Sequence, residues 1–595
     1  MTAPTLTQLD PDTPDRSAGG WSPAVLANDR PIHPLLLVLT ALLLALFYGL
    51  LWSPYYYPLS DSSLYLIVAK GLAAGRGLDY VRQIHRSIRP FTPLMFSWVI
   101  RAGGGVGAIH ALLITLMLVS FALMFATVSR WLNQRIAYCV TILTALSWWA
   151  FSNAFTVMTE PAFLVFAWSS LLVLSYVKDA PVRWRWLLVL VGAILFAGAW
   201  TNRVAAILLL PGIVLALLIT GRRVAGFGER AGWVAIFGVI GLLLALDYYH
   251  KPPPPAPGQN QGLEISSKGG IADAAEGESS QATESGYRWN LMVGVSNPLI
   301  QLPTNGGRWA LETLAAALVY PFNSKSTPIL LLGSAMGLAT LLILALGAVR
   351  LARDGHWWPV LLLAYFLPLW LMWGTRVKAR YMIPVAPAIF VLLWAGASVA
   401  IGRLLRSRLG QSRAHRTGAV IGVVAMLAIS VPLNGFAWGV EVYLRHNHRA
   451  QFYDLARRGA FAELIDICAY LRKNTPPGTE VWLNRGASRR IVKLLCDRDV
   501  FTVKHEVGLT SPDDANQFAK LVPHVKGDYL VALYEKDRWP QFHWPLATPP
   551  APGSPPRFWQ LFKVDQVNNT ITPVAVPRDR ELLSLKPDAT TDVVR

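Results

Sequence analysis

The chain has 595 residues, 53% of them hydrophobic and 15% charged, with 23 Trp and a formal net charge of +19. Soluble domains carry charge on nearer a quarter of their residues, and the apolar residues here are bunched, which excludes an ordinary soluble protein. The basic excess does not indicate nucleic-acid binding, because the bases sit in short loops between apolar runs, where positive-inside sorting puts them.

Residues 1–33 form a polar tail. The apolar run after them is long enough to span and reads as a signal anchor, not a cleavable signal peptide. About 20 helical residues cross a hydrocarbon core of ~30 Å. By that measure eleven spans are expected, at 34–53, 107–130, 136–153, 160–177, 186–201, 203–220, 231–248, 327–349, 357–374, 380–402 and 418–440. With the N-terminus in the cytoplasm, the inner loops hold Arg130 and Arg135; Lys178, Arg183 and Arg185; Arg222, Arg223 and Arg230; Arg350 and Arg353; and Arg403, Arg406, Arg408, Arg413 and Arg416. All five are positive, as sorting requires. The odd number of spans then places the C-terminal region, 445–595, outside the cytoplasm of an inner or plasma membrane.

Three outer segments break the rule by being basic: 54–106, the tight turn at Arg203, and Gly374–Arg380. An anionic ligand held at the outer leaflet would require bases there. In Ser60–Gly77, SDSSLYLIVAKGLAAGRG, residues Leu64, Ile67, Val68, Gly71 and Leu72 share one side at helical spacing, and Gly75 and Gly77 end the helix. Asp61 is therefore expected to begin a short helix lying along the membrane surface. Taken alone, Asp61 or Ser60 reads first as an N-cap worth about 1 kcal/mol, a role that an active-site carboxylate can also fill.

Further along, Val157-Met-Thr-Glu-Pro161 sets Glu160 at the outer start of a span, and Thr201-Asn-Arg203 sets a guanidinium between two spans. Arg376, Lys378, Arg380 and Tyr381 open another span, Arg89 precedes Pro90-Phe-Thr-Pro93, and Lys70 lies behind Asp61. Each has an ordinary reading: a first-turn acid on a helix dipole, snorkelling bases, an interfacial Tyr. Together, two carboxylates and several bases on one face suggest a site for a phosphate-linked substrate. Asp79 and Asp247 are weaker acidic candidates.

Residues 249–286 are of low complexity, with a Pro run expected as polyproline II and a remainder too polar to fold alone. Trp309–Val319 fits a short surface helix, and the loop 249–326 reads equally as lid or spacer. From 445 onward the pattern becomes soluble α/β. A helix is expected over 450–474, strands at Val481–Leu483, Val500–Val503, Tyr529–Tyr534 and Phe558–Val564, and helices near 486–495 and 513–522. The Gly486-Ala-Ser-Arg-Arg490 turn is either a weak anion site at a helix start or, more simply, a helix entry. Cys468 and Cys496 read as a disulfide or as two buried thiols, and Cys139, inside an apolar run, as inert.

The outer Asp after the first span, followed by LYLIVAKGLAAGRGL and RPFTPLM, resembles the GT-C superfamily of membrane glycosyltransferases. The branch is that of protein O-mannosyltransferases and lipid A aminoarabinose transferases. MTEP, TNRVAAILLLP and RVKARYMIPVAP resemble its later landmarks, so the resemblance covers 34–402. It implies an α-helical polytopic membrane protein of about eleven transmembrane helices with a C-terminal soluble α/β domain. It also implies transfer of a sugar from an undecaprenyl- or dolichyl-phosphate-type donor to a glycan, lipid or protein acceptor outside the cytoplasm.

Under the resemblance, Asp61 is the candidate base and Glu160 binds the acceptor or orients a base. Arg89, Arg203, Arg376, Lys378, Arg380, Tyr381 and Lys70 would hold the donor phosphate. Many relatives carry a second acid directly after the first Asp, whereas this chain has Ser62, so no ligand pair supports a divalent metal and no cofactor is expected. A transporter or flippase of an anionic substrate is the main rival. Transporters place charge near the bilayer midplane, and here it collects at one face. A lipid-linked oligosaccharide ligase or polymerase is the enzymatic rival.

Overall fold

The structure is a computed structural model, and it describes residues 31–54, 60–84, 88–154, 156–222, 224–249, 327–366, 379–447, 462–484, 489–502, 525–533, 559–565, 567–568 and 570–576. The first membrane helix is α1 (Pro34–Gly49); an outer segment follows with α2 (Ser60–Ala73), α3 (Leu78–Ile84) and α4 (Phe91–Arg101). The bundle continues through α5 (Val106–Trp131), α6 (Gln134–Leu146), α7 (Trp148–Ala154), α8 (Glu160–Ser175), α9 (Val182–Asn202), α10 (Leu210–Gly221) and α11 (Phe227–Tyr249). It is completed by α12 (Thr327–Arg353), α13 (Trp357–Leu362), α14 (Ala386–Leu409) and α15 (Gln411–Asn447).

Among the described residues, seven helices are long and apolar enough to cross a membrane, α6 and α7 meet the same test only as a pair bent by 57°, and α1 and α8 are shorter apolar helices. Of the expected span 357–374 only the first ten residues are described, as α13 and a short 3-10 turn. The helix expected at 186–201 begins earlier, at Val182, because Arg183 and Arg185 fit its first turn, with Arg185 bonded to the carbonyls of Ala180 and Val224.

Apolar side chains on the bundle periphery face outward, as on α1, where Leu42, Leu43 and Leu46 are exposed. Helix α14 is the opposite case: 83% of its spanning window is buried, against 17–44% for the other long spans, so it forms the centre of the bundle. Small residues permit that packing. A Cβ on Gly347 of α12 would overlap the Leu392 carbonyl, and one on Gly396 of α14 would overlap that of Ile343, so the two backbones touch through paired glycines. Gly435 of α15 has open space around it. Gly435→Ala is expected to be neutral or slightly stabilising through helix propensity. Gly396→Ala should lower the thermal midpoint of the detergent-purified protein, by an overpacking cost of about 1–3 kcal/mol.

One end of the bundle collects the basic loops. Arg130 pairs with Asp179, Arg185 lies 3.7 Å from Glu229, and His356 Nδ1 is 3.0 Å from the Trp131 carbonyl. These contacts join four of the five loops expected to be cytoplasmic. The other end carries α2–α4.

Helix α2 departs from the expectation of a one-sided surface helix. Leu64, Val68 and Leu72 pack with Tyr80, Val81, Ile84 and Ile88, as the spacing suggests. On another side, however, Leu66 and Ala69 join a second core with Phe96, Ile109 and residues of the C-terminal region, Leu471, Leu494 and Leu495 among them. The helix is thus enclosed from above as well as from below. It ends at Gly75, whose φ of +85° suits glycine. Gly75 N–H bonds the Leu72 carbonyl and Arg76 N–H that of Gly71, both at 3.1 Å, in a Schellman arrangement.

The C-terminal region contributes α16 (Ala462–Asn474), β1 (Glu480–Leu483), α17 (Arg489–Cys496), β2 (Asp499–Thr502), β3 (Tyr529–Leu533), β4 (Trp559–Asp565) and β5 (Thr570–Pro573). The strands form one sheet in the order β2-β1-β3-β4-β5, parallel across β2, β1 and β3 and antiparallel from β3 to β5. Strand β5 lies at the edge, mostly exposed, and Pro573 and polar Thr residues hide it from any apolar pattern. The expected helix near 513–522 and the residues 450–461 lie outside the described residues, as does the loop 250–326 with Trp309–Val319. Arg498 ties the sheet to α16, its guanidinium donating to Thr475 Oγ1 at 2.9 Å and to the Arg472 carbonyl at 2.9 Å, a cation at a helix C-terminus. Cys468 and Cys496 are buried free thiols rather than a disulfide. Burial, with a hydrogen bond to Cys496, pushes the Cys468 thiol well above its usual value.

Candidate functional site

The site is built where α2 meets the loop before α8. Asp61 stands in the first turn of α2, its side chain 37% exposed. Next to it, Ser62 is fully buried and donates from Oγ to Met158 Sδ at 3.7 Å. That contact holds the turn carrying Asp61 against Val157–Glu160.

Glu160 opens α8, with Pro161 behind it fixing the helix start. Its carboxylate is 1% exposed and pairs with Arg203, itself 14% exposed. Arg203 can reach it because α9 stops at Asn202: the Arg203 backbone is extended (φ −152°, ψ 126°) before the 3-10 turn Val204–Leu209. The tight turn read from the sequence is therefore a helix break that aims a guanidinium at the neighbouring helix start. Two charges taken out of water cost several kcal/mol each, so the pair persists only because each compensates the other.

Arg89 is 6% exposed, with its guanidinium 4.7 Å from the centre of the Trp200 ring on α9. A desolvated cation–π contact of this kind contributes about 2 kcal/mol. The Pro90–Pro93 corner is fastened to the same place, since Thr92 Oγ1 donates to Asn202 Oδ1 at 2.7 Å. Asn202 Nδ2 donates to the Gly198 carbonyl at 2.7 Å, which turns its oxygen toward Thr92. Phe91 meets Phe166 of α8 edge to face at 5.2 Å. Arg89, Glu160 and Arg203 thus belong to one contiguous set of contacts at the ends of α8 and α9, and Ser62–Met158 connects Asp61 to it.

A residue from the C-terminal region also arrives here. Arg490 Nη1 of α17 lies 4.0 Å from Asp61 Oδ1.

Other expected residues are placed elsewhere or lie beyond description. Lys70 is nine residues along α2 from Asp61, about 14 Å of helix. Arg376 and Lys378 lie outside the described residues. The backbone of Arg380 and Tyr381 belongs to the 3-10 turn Ala379–Val385, which packs against α7, the helix leading into Val157–Glu160. Their side chains lie outside the described residues, as does that of Asp247. Asp79 is exposed in the first turn of α3. Among the described residues no three His, Cys, Asp or Glu side chains gather to hold a metal. Beside Asp61 the neighbouring position is a buried serine bonded to the Met158 sulfur. A small crevice lined by Ser175, Lys178, Trp233 and Trp358 opens at the far end of α8 from Glu160 and has no part in this site.

Sequence reasoning missed Trp200, Met158 and Arg490. Trp200 looked like one more apolar residue of a span, and Met158 offered no chemistry of its own. Arg490 carried a faint signal in the Gly486–Arg490 turn, with nothing to say what it would meet.

No protein-family model matches the chain, and no curated protein matches it by sequence. Its fold is similar to that of the oligosaccharyltransferase of Archaeoglobus fulgidus tethered by a disulfide to an acceptor peptide containing an NVT sequon. That likeness has a TM-score of 0.50 at 11% identity and covers 84% of this chain and 69% of the other. The same archaeal enzyme, AglB, in complex with an inhibitory peptide and a dolichol-phosphate, matches at a TM-score of 0.48 with 11% identity over 83% of this chain and 69% of that one. ArnT from Cupriavidus metallidurans bound to undecaprenyl phosphate matches at 0.43 with 13% identity over 85% and 94%. At these identities the likeness concerns architecture alone: the chain shares its overall fold with the archaeal oligosaccharyltransferase.

Proposed function

We propose that the protein is a membrane glycosyltransferase that moves a sugar from a polyprenyl-phosphate donor to an acceptor on the extracytoplasmic side. One observation supports this reading: Arg89, Glu160 and Arg203 belong to one set of contacts at the ends of α8 and α9, and Ser62–Met158 holds the turn carrying Asp61 against the loop before Glu160, at the end of the bundle away from the basic loops. The shared fold and the sequence resemblance over 34–402 support it.

The chemistry fits these groups. A polyprenyl tail stays in lipid while its phosphate reaches the interface. The bond between the sugar anomeric carbon and the phosphate oxygen breaks as an acceptor oxygen bonds to that carbon, through an oxocarbenium-like state. The departing lipid phosphate gains negative charge, which Arg89 and Arg203, preorganised by Trp200 and Glu160, stabilise; Arg376, Lys378 and Arg380 are assigned the same role. Asp61 accepts the proton leaving an acceptor hydroxyl. A phosphate acceptor needs no base, and Asp61 would then orient it. Glu160 acts through Arg203, holding it in place.

Mass spectrometry of lipids, glycans and glycoproteins from cells with and without the gene tests the proposal. The expected result is loss of one sugar from one acceptor class, with accumulation of its polyprenyl-phosphate sugar. Unchanged glycosylation alongside altered movement of an anionic solute would favour the transporter and overturn the reading.

A further inference from the structure

Helix α17 has one face committed to packing. Ile491, Val492, Leu494, Leu495 and Cys496 are buried, and they share a core with Leu66 and Ala69 of α2. Arg490 and Lys493, one turn apart, form the other face. They end differently. Lys493 turns to Asp499 of its own region at 3.8 Å, whereas Arg490 crosses to Asp61 at 4.0 Å and is only 14% exposed there. A largely buried guanidinium brought from the C-terminal sheet region to the start of α2 is not needed to hold that packing, which Leu66, Ala69 and the α17 apolar residues already provide.

The distance decides what Arg490 does. Charged hydrogen bonds are ~2.7–2.9 Å long, so at 4.0 Å the contact with Oδ1 is one of charge. It steers the carboxylate without occupying Oδ1 by a hydrogen bond of its own. We infer that Arg490 is a positioning residue for Asp61, so that sugar transfer requires the C-terminal region seated on α2. The inference rests on the reading of Asp61 as the base of the proposed glycosyltransferase.

It has a structural corollary. The outer segment supplies the carboxylate, the bundle supplies Arg89 and Arg203, and the C-terminal region supplies the group that aims the carboxylate. Transfer would then start only when all three parts are assembled.

The test compares Arg490→Met, Arg490→Lys and Lys493→Met in the full-length protein reconstituted in liposomes with a polyprenyl-phosphate-linked sugar as donor and the acceptor identified by the mass-spectrometric comparison. A misplaced reacting group costs up to about 100-fold. Arg490→Met is expected to lower kcat about 10- to 100-fold with the donor KM held within about twofold. Arg490→Lys should recover much of that loss, and Lys493→Met should match the parent. In an Asp61→Asn background, Arg490→Met should cause no further loss, because residues acting as a unit are not additive.

A raised donor KM with unchanged kcat would make Arg490 a phosphate ligand and overturn the inference. Parental kinetics for Arg490→Met, with Asp61→Asn inactive, would overturn it while leaving the proposed function standing. An active Asp61→Asn would remove the base and with it the positioning role of Arg490, while a glycosyltransferase acting on a phosphate acceptor would still stand. A loss that Lys does not rescue, accompanied by a lowered thermal midpoint, would reduce Arg490 to a packing residue.

Discussion

Asp61→Asn is expected to leave a folded, membrane-inserted protein and to lower sugar transfer to a hydroxyl acceptor by about 10²–10⁴-fold, the usual contribution of a positioned acid–base group. The substitution separates the two readings that the sequence left side by side. Asn caps a helix as well as Asp does, so a residue that only starts α2 would tolerate the change with activity intact. A base would not, because an amide cannot accept the proton from the attacking hydroxyl. Little stability is at risk: Asp61 is 37% exposed, and the buried weight of the turn rests on Ser62, Leu64 and Leu66. Asp61→Ala, which removes the carboxylate and its shape together, serves as the contrast and should fall as far in activity as Asn. Initial rates in liposomes, normalised to folded protein by size exclusion in detergent, provide the measurement.

The same stretch marks what the sequence made legible. The period of Leu64, Val68 and Leu72 gave the helix and its inner face, and Gly75 gave its end, because both are local rules of spacing and backbone conformation. Span positions followed from apolar length for the same reason. The roof over α2 did not follow. Leu66 and Ala69 fell outside the periodic face, and their cover, α17, lies more than four hundred residues away in the chain. Long-range contact of that kind leaves no period to read.

At the site, residue type was legible and partnership was not. Charge on a face where sorting disfavours it singled out Arg89 and Arg203 from sequence alone. That Arg203 faces Glu160, and Arg89 the ring of Trp200, depends on two helices being antiparallel neighbours with one of them stopping at Asn202. Strand β5 escaped for a third reason. An exposed edge strand with Thr and Pro has no buried face to pattern.

The Glu160–Arg203 pair should give the largest change in stability. Glu160 is 1% exposed and Arg203 14% exposed, so deleting the acid alone leaves a guanidinium facing a low-dielectric wall. Breaking a buried pair from one side costs about 3–5 kcal/mol, a large share of the ~5–15 kcal/mol that holds a typical fold. Glu160→Ala is therefore expected to lower the thermal midpoint sharply and to reduce yield from membranes. Replacing both partners with apolar residues of similar volume is often neutral, so Glu160→Met with Arg203→Met should recover most of the midpoint. Activity should not recover with it, because the proposed donor site has lost a cation and the acid that held it. Stability restored without transfer would assign the pair a role in chemistry beyond its role in packing. Recovery of both would make it a structural tie between α8 and α9 and leave the phosphate to Arg89 with Arg376, Lys378 and Arg380.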